Sequence, residues 1–239
     1  MNSSRLPGKA MLAFGKRSAI ELLIDRVKLV MGVNGIILAT TDSKFDDCIV
    51  TLAKNNNILY YRGSEEDVLL RVAEAAIAYQ TDIIIQITGD TTFVDPDIVS
   101  AMLQYFVSNM SSIDVLVNDN INKIALGFTV RIFKAKSLFE IERKATHLLY
   151  RENVEGYFYN HKGEFNFTDY PLAKVYMRSD IRVTLDTLRD YIVMRNVYDA
   201  IGENKILFSA LDVIKYLDEH PEVKEINCKI VQNSLMHAG

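Results

Sequence analysis

Apolar residues recur along the chain in two alternating patterns, helical stripes and short unbroken runs. Leu22, Leu23, Ile24, Val27 and Val30 fall on one helical face. Ser18 and Glu21, three apart, form a capping-box pair at its start, each able to satisfy the other's free backbone donor. Gly32 and Gly35 close the helix, and residues 36–40 then read as a strand buried on both faces. Ser43 caps a helix running through Leu52 and Ala53, residues 58–61 form a strand, and Ser64-Glu65-Glu66-Asp67 opens an alanine-rich helix to about Tyr79. Residues 83–87 are the strongest strand signal, leaving through Thr88-Gly89-Asp90, and Asp95-Pro96 starts the next helix because proline suits a first turn. Residues 113–117 are another strand.

The second half is less regular. Residues 128–133 read as a strand, and 134–143 and 147–159 as helices. Residues 181–185 alternate as a strand that ends at Asp186, and 187–201 form a helix closed by Gly202. Ser209 caps a last helix that stops at His220-Pro221. Strands alternating with helices predict an α/β fold with a mostly parallel sheet and right-handed crossovers. Ligands of such sheets bind outside the carboxyl ends of the strands.

The length of 239 residues suits one domain over 1–239, without internal repeat or low-complexity linker, and 49% hydrophobic residues are enough for a sizeable core. A net charge of −4 leaves no electrostatic footprint for nucleic acid or an anionic membrane, so any phosphate site must be local. Cys48 and Cys228 make neither a disulfide framework nor a zinc spacing, which points to a reducing, cytoplasmic setting. No apolar run approaches the ~20 residues that span a bilayer. Polar residues directly after Met1 give no secretory leader.

Three places carry candidate chemistry. Ser3, Ser4, Arg5, Gly8 and Lys9 combine hydroxyls, a glycine and two cations, the donors a phosphate cradle needs; a solvated basic tail has the same composition. Asp90 and Asp186 each follow a predicted strand. Two strand-end carboxylates meeting at one sheet edge suit Mg²⁺, a hard cation that takes oxygen ligands; each also reads as a simple helix cap. Ser64 and Arg71 are further candidates for lining a nucleotide pocket, although Ser64 reads as a cap and Arg71 as a surface charge. The histidines have no metal-ligand spacing, and there is no Ser/His/Asp or Cys/His arrangement.

The segment Ser4-Arg5-Leu6-Pro7-Gly8-Lys9 resembles the phosphate-binding motif of the spore-coat-polysaccharide type of cytidylyltransferase, a group related to the CMP-Kdo and acylneuraminate cytidylyltransferases. The resemblance continues in order through Ala39-Thr40-Thr41-Asp42, Arg62-Gly63-Ser64-Glu65-Glu66-Asp67-Val68-Leu69, Ile87-Thr88-Gly89-Asp90 and Arg182-Val183-Thr184-Leu185-Asp186-Thr187. Three departures stand out. The family's first strand and the Gln-Ala-Arg before the loop are absent, so about ten further residues upstream of Met1 are expected. The family's acidic pair in the middle strand is replaced by Thr129 and Arg131. A Glu-His-Val-Thr-Pro stretch bordering the acceptor reads Glu152-Asn153-Val154-Glu155-Gly156.

The resemblance implies a three-layer Rossmann-like nucleotide-diphospho-sugar transferase fold, compatible with a homodimer. It implies transfer of CMP from CTP to a sugar, acidic or amino, with release of pyrophosphate. Asp90 and Asp186 would hold Mg²⁺, Lys9 and Arg5 would stabilise the departing pyrophosphate, and Ser3, Ser4, Gly8, Ser64 and Arg71 would contact the nucleotide. Arg131 reads either as a new anion contact for the acceptor or as a strand-surface charge. Two alternatives are a catalytically degraded nucleotide-binding protein on this fold and a sugar-1-phosphate nucleotidyltransferase, whose usual glycine-rich loop is not visible.

Overall fold

The computed structural model describes residues 3, 5–119, 123–202 and 207–231. A short hairpin of β1 (Ala13–Phe14) and β2 (Arg17–Ser18) leads into α1 (Ala19–Val27). There follow β3 (Ile37–Thr41), α2 (Asp47–Asn55), β4 (Leu59–Gly63), α3 (Val68–Ala78), β5 (Ile83–Gln86), α4 (Pro96–Ser108), β6 (Val115–Val117) and β7 (Arg131–Lys134). The chain continues through α5 (Ala135–Lys144), α6 (Leu148–Arg151), α7 (Glu155–Asn160), β8 (Phe167–Asp169), α8 (Leu188–Val197), α9 (Ala210–Glu219) and α10 (Pro221–Lys224).

Side-chain alternation shows why these strands lie between helical layers. Successive strand residues point to opposite faces. Ile84, Val115, Val117 and Phe133 accordingly meet Leu69, Ala73 and Ala76 of α3 on one side. Ile83, Ile85, Leu116 and Ile132 meet Leu22 of α1, Met102 of α4, Val193 of α8 and Val213 of α9 on the other. β3 pairs with β4 in parallel, and β6 with β8 in parallel. The expectation of a mostly parallel sheet needs correction at β7. This strand lies between β5 and β6 and runs antiparallel to both, giving the order β5-β7-β6-β8. Among the described residues β3 and β5 each have one ladder only, and every residue of β5 is half-buried.

Local chemistry sets most boundaries. Ser18, Thr187 and Ser209 each form a full capping box, with Glu21, Asp190 and Asp212 respectively. Asp95 caps α4 with Pro96 in its first turn. The cap of α3 is Asp67, which accepts the Leu70 N–H, and not Ser64, whose hydroxyl accepts the Asp67 N–H. The predicted helix 147–159 is broken in two. Asn153 donates to the Leu149 carbonyl and accepts the Gly156 N–H at 2.6 Å, so its side chain takes the place of helical backbone bonds between α6 and α7. The predicted strand 128–133 starts only at Arg131, because Asn118 holds the Phe128 carbonyl and the Val130 N–H in a buried turn. Residues 181–185 make a single parallel bridge, Leu126 to Arg182, in place of a full strand.

One buried cation joins distant parts of the chain. Arg26 of α1 is fully buried, lies 4.3 Å over the Phe208 ring, and donates to the carbonyls of Val94 and Phe208 at 2.8 and 2.7 Å. Burial lowers its pKa to about 10, against the pull of Asp95.

Candidate active site

The loop before the hairpin is shaped by its own backbone. The Leu6 N–H donates to the Ser3 hydroxyl at 3.4 Å, the Lys9 N–H to the Leu6 carbonyl, and the Met11 N–H to the Gly8 carbonyl. Gly8 sits at φ 69°, in the left-handed region that suits glycine. This turn aims Arg5 and Lys9 at the carboxyl edge of the sheet. Ser4 lies outside the described residues.

The two aspartates meet there. After β5 the Thr88 hydroxyl donates to Asp90, and the Thr91 N–H and hydroxyl both donate to the Thr88 carbonyl, fixing a tight exit. The Leu185 N–H donates to the Asp90 carbonyl at 2.9 Å, which draws the segment ending in Asp186 alongside. The close approach of Gly127 to this segment steadies it: at φ 113°, a Cβ there would lie 2.5 Å from the Val183 carbonyl oxygen. The Lys9 ammonium is 3.0 Å from Asp186 and 3.5 Å from Asp90, so one cation touches both carboxylates. Arg5 reaches Asp186 at 3.1 Å. The plainer reading of the two aspartates as helix caps does not hold, because Thr187 caps α8 and Asp95 caps α4.

Asp186 is nearly buried, its side chain 4% exposed, whereas that of Asp90 is 25% exposed. Burial works against the Asp186 charge, but Lys9, Arg5 and Arg182 outweigh it and hold its carboxyl below the usual range. Arg182, to which the sequence reading gave no role, is the hidden support. It donates to Asp186 at 2.9 Å and to Asp190 at 2.8 Å, and Asp190 in turn belongs to the capping box of α8. Asn227 ties the same point by donating to the Arg182 carbonyl and to Asp190. The available signal was an arginine in an apolar stretch with carboxylates four and eight residues on.

Ser64 and Arg71 come together at the carboxyl end of β4, where the Arg71 guanidinium donates to the Ser64 carbonyl at 2.5 Å. Arg71 is half-buried, not the surface charge its helical position suggests. Burial lowers its pKa while Asp46, Glu65 and Asp67 oppose the shift. Its Nε is buried without a hydrogen-bond partner. Gly63 makes room, since a Cβ there would lie 3.0 Å from the Arg71 stem.

Arg131 is neither a surface charge nor an open anion contact. Its side chain is 14% exposed, and all three nitrogens are engaged. Nη2 reaches Asp119 at 3.0 Å, Nη1 lies 3.6 Å from Glu155, and Nε meets the Tyr159 hydroxyl at 3.3 Å. Burial opposes its charge, but Glu155, Tyr159 and Asp119 push its pKa upward. The Tyr159 hydroxyl donates to Asp119, and burial together with Asp119 raises its pKa against the pull of Arg131.

Two carboxylates suit Mg²⁺, which commonly takes one or two protein carboxylates and completes its shell with phosphate oxygens and water. Among the described residues no group of three or more His, Cys, Asp or Glu gathers as a metal site. Asp90 and Asp186 therefore fit Mg²⁺ together with a triphosphate, provided Lys9 swings from the carboxylates to the phosphates.

Basic side chains over paired strand-end aspartates at the edge of an α/β sheet suit a nucleotidyltransferase. The chain belongs to the cytidylyltransferase family, which it matches over residues 1–230. It is 31% identical to the uncharacterised protein MJ1063 of Methanocaldococcus jannaschii, over 97% of this chain and 93% of that one. It is 29% identical to the spore coat polysaccharide biosynthesis protein SpsF of Bacillus subtilis, over 93% of this chain and 92% of that one. The solved structure of a cytidylyltransferase from Leptospira borgpetersenii superposes with a TM-score of 0.89 at 28% identity, covering 98% of this chain and 95% of that one. No helix among the described residues is long and apolar enough to cross a membrane.

Proposed function

We propose that the protein transfers CMP from CTP to a sugar, releasing pyrophosphate, in the making of a surface polysaccharide or related glycan. The observation that carries this reading is the Lys9 ammonium held between Asp90 and Asp186, with Arg5 beside it. The arrangement is a charge relay waiting for a polyanion. Lys9 and Arg5 can turn from the carboxylates to the oxygens of a bound triphosphate, and Asp90 and Asp186 would hold Mg²⁺. That ion supplies positive charge where the triphosphate develops negative charge.

An acceptor oxygen attacks the α-phosphorus in line as the bond to pyrophosphate breaks. Such a transfer depends on positioning and electrostatic stabilisation more than on covalent chemistry. Lys9 and Arg5 stabilise the leaving pyrophosphate, and Ser3 and Gly8 shape the loop that carries them. Ser64 and Arg71, joined at the end of β4, would meet the nucleotide. Arg182 keeps Asp186 ionised and aimed. The likeness to SpsF supports the polysaccharide setting, and two exposed free cysteines suit a reducing cytoplasm.

The test is pyrophosphate release with Mg²⁺, each of the four common nucleoside triphosphates and a panel of neutral, amino and acidic sugars. Release with CTP well above the other three is expected. Equal release from all four, or none from CTP with any acceptor, rejects the reading.

A further inference from the structure

The turn that follows α10 supports the paired aspartates from behind. Val223 of α10 and Ile226 just after it seat this segment on the cluster that holds α1, α4, α8 and α9. Lys224 ties it to Asp180 at 2.9 Å. Asn227 then turns inward and is buried. Its amide nitrogen donates to the Arg182 carbonyl at 3.0 Å and to Asp190 at 2.9 Å. One side chain thus holds both the backbone of Arg182 and the carboxylate that aims its guanidinium.

The surroundings make both bonds matter. The bridge to Leu126 uses the Ile181 carbonyl and the Val183 N–H. The Arg182 carbonyl between them faces the other way, where a full sheet would supply a neighbouring strand. Asn227 meets it there, and a buried carbonyl needs such a partner. Asp190 is buried as well, accepting from Arg182 Nε at 2.8 Å and from the Thr187 N–H and hydroxyl, both at 2.9 Å. The far end of this run of bonds divides Asp186. Its Oδ2 accepts from Arg182 at 2.9 Å, whereas its Oδ1 faces Lys9 at 3.0 Å and Arg5 at 3.1 Å. One oxygen is committed to the interior and the other is presented to the site. An arginine stem is rich in rotamers, so the division lasts only while Arg182 is pinned at both ends.

Resting on the cytidylyltransferase reading, we infer that Asn227 is a positioning residue for Mg²⁺-dependent CTP binding: through Asp190 and Arg182 it keeps Oδ1 of Asp186 turned to the site. Removing an outer partner that orients a metal-binding carboxylate commonly lowers metal affinity roughly 10–100-fold. Asn227 acts one step further out, which places its effect at the lower bound.

The experiment uses the full chain. Calorimetry measures CTP binding at a series of Mg²⁺ concentrations and gives the Mg²⁺ concentration of half-maximal effect. Asn227→Leu, close in volume and without donors, should raise that concentration about tenfold. CTP affinity should return to the wild-type value at saturating Mg²⁺, which a distorted pocket would not allow. Lys224→Ala, which unties the same turn from Asp180, should leave the Mg²⁺ dependence unchanged. Asn227→Ser, a smaller change that keeps a hydroxyl, should show a lesser rise and decides the matter alone if the leucine variant does not fold. An unchanged Mg²⁺ dependence in the Asn227 variants, an equal rise in Lys224→Ala, or a CTP affinity that saturating Mg²⁺ does not restore overturns the inference. Failure of the wild type to bind CTP with Mg²⁺ overturns instead the reading on which it rests.

Discussion

A single ammonium bridging two aspartates makes a clear residue-scale demand. Asp90→Asn and Asp186→Asn should each abolish Mg²⁺-dependent pyrophosphate release. The fold should survive, because Arg182 keeps Asp190 and the sheet backbone is untouched. Turnover retained in either variant, measured beside an unchanged circular dichroism spectrum, removes the metal assignment. Arg5→Ala combined with Lys9→Ala should weaken CTP binding in calorimetry. Each charge-assisted hydrogen bond lost contributes roughly 1.5–3 kcal/mol. Unchanged CTP affinity would show that the loop is not the cradle. A third residue controls acid stability. Asp46 is buried, which opposes its charge, but its hydrogen bonds, those from the Thr40 and Thr41 hydroxyls and the Thr41 N–H among them, lower its pKa to about 2. A carboxyl depressed on folding stabilises the native state above its ordinary unfolded value, and this contribution is lost as pH falls through about 2. Urea midpoints from pH 6 to pH 2 should fall more steeply for the wild type than for Asp46→Asn; identical slopes would contradict this. Strand ends and composition left Asp90, Asp186, Arg5 and Lys9 open to plainer readings; the family resemblance singled them out, and the structure brings them together. Arg182 was not legible, because its role depends on a burial that alternation alone does not reveal.

At the scale of the element, caps were the most legible feature, since each needs only residues three apart. Ser209→Ala should cost about 1 kcal/mol in urea denaturation, as loss of a capping hydroxyl does, without touching activity. Thr187→Ala should cost a similar amount and also lower turnover, because its partner Asp190 supports Arg182 and through it Asp186. Equal activity in the two variants would separate the α8 cap from the site. Elements that rely on distant partners were harder to read. The β1–β2 hairpin has two-residue strands, too short for any period to show. The break between α6 and α7 comes from one asparagine side chain, and the late start of β7 from another. Both side chains replace backbone bonds, which a pattern of apolar positions does not record.

For the molecule as a whole, the layers were expected from the family resemblance, and odd and even strand residues do divide between the two hydrophobic clusters. The apolar pattern did not foretell the direction of β7, because a buried antiparallel strand and a buried parallel one share the same apolar run. The ladders also predict unequal protection. β7 is bonded on both sides, whereas β3 and β5 each have one ladder among the described residues. Native-state hydrogen exchange should find amides of Ile132 and Phe133 among the slowest, and alternate amides of residues 37–41 and 83–86 markedly faster. Uniform protection across these three strands would count against this picture. Arg26 adds a constraint of another kind, one of timing. Its guanidinium donates to the carbonyls of Val94 and Phe208, the second 182 positions further along the chain. During synthesis α1 leaves the ribosome long before Phe208 exists. Until then the bond to Phe208 cannot form, and the Arg26 side of α1 stays incomplete. The first helix of this protein is therefore among the last to be sealed.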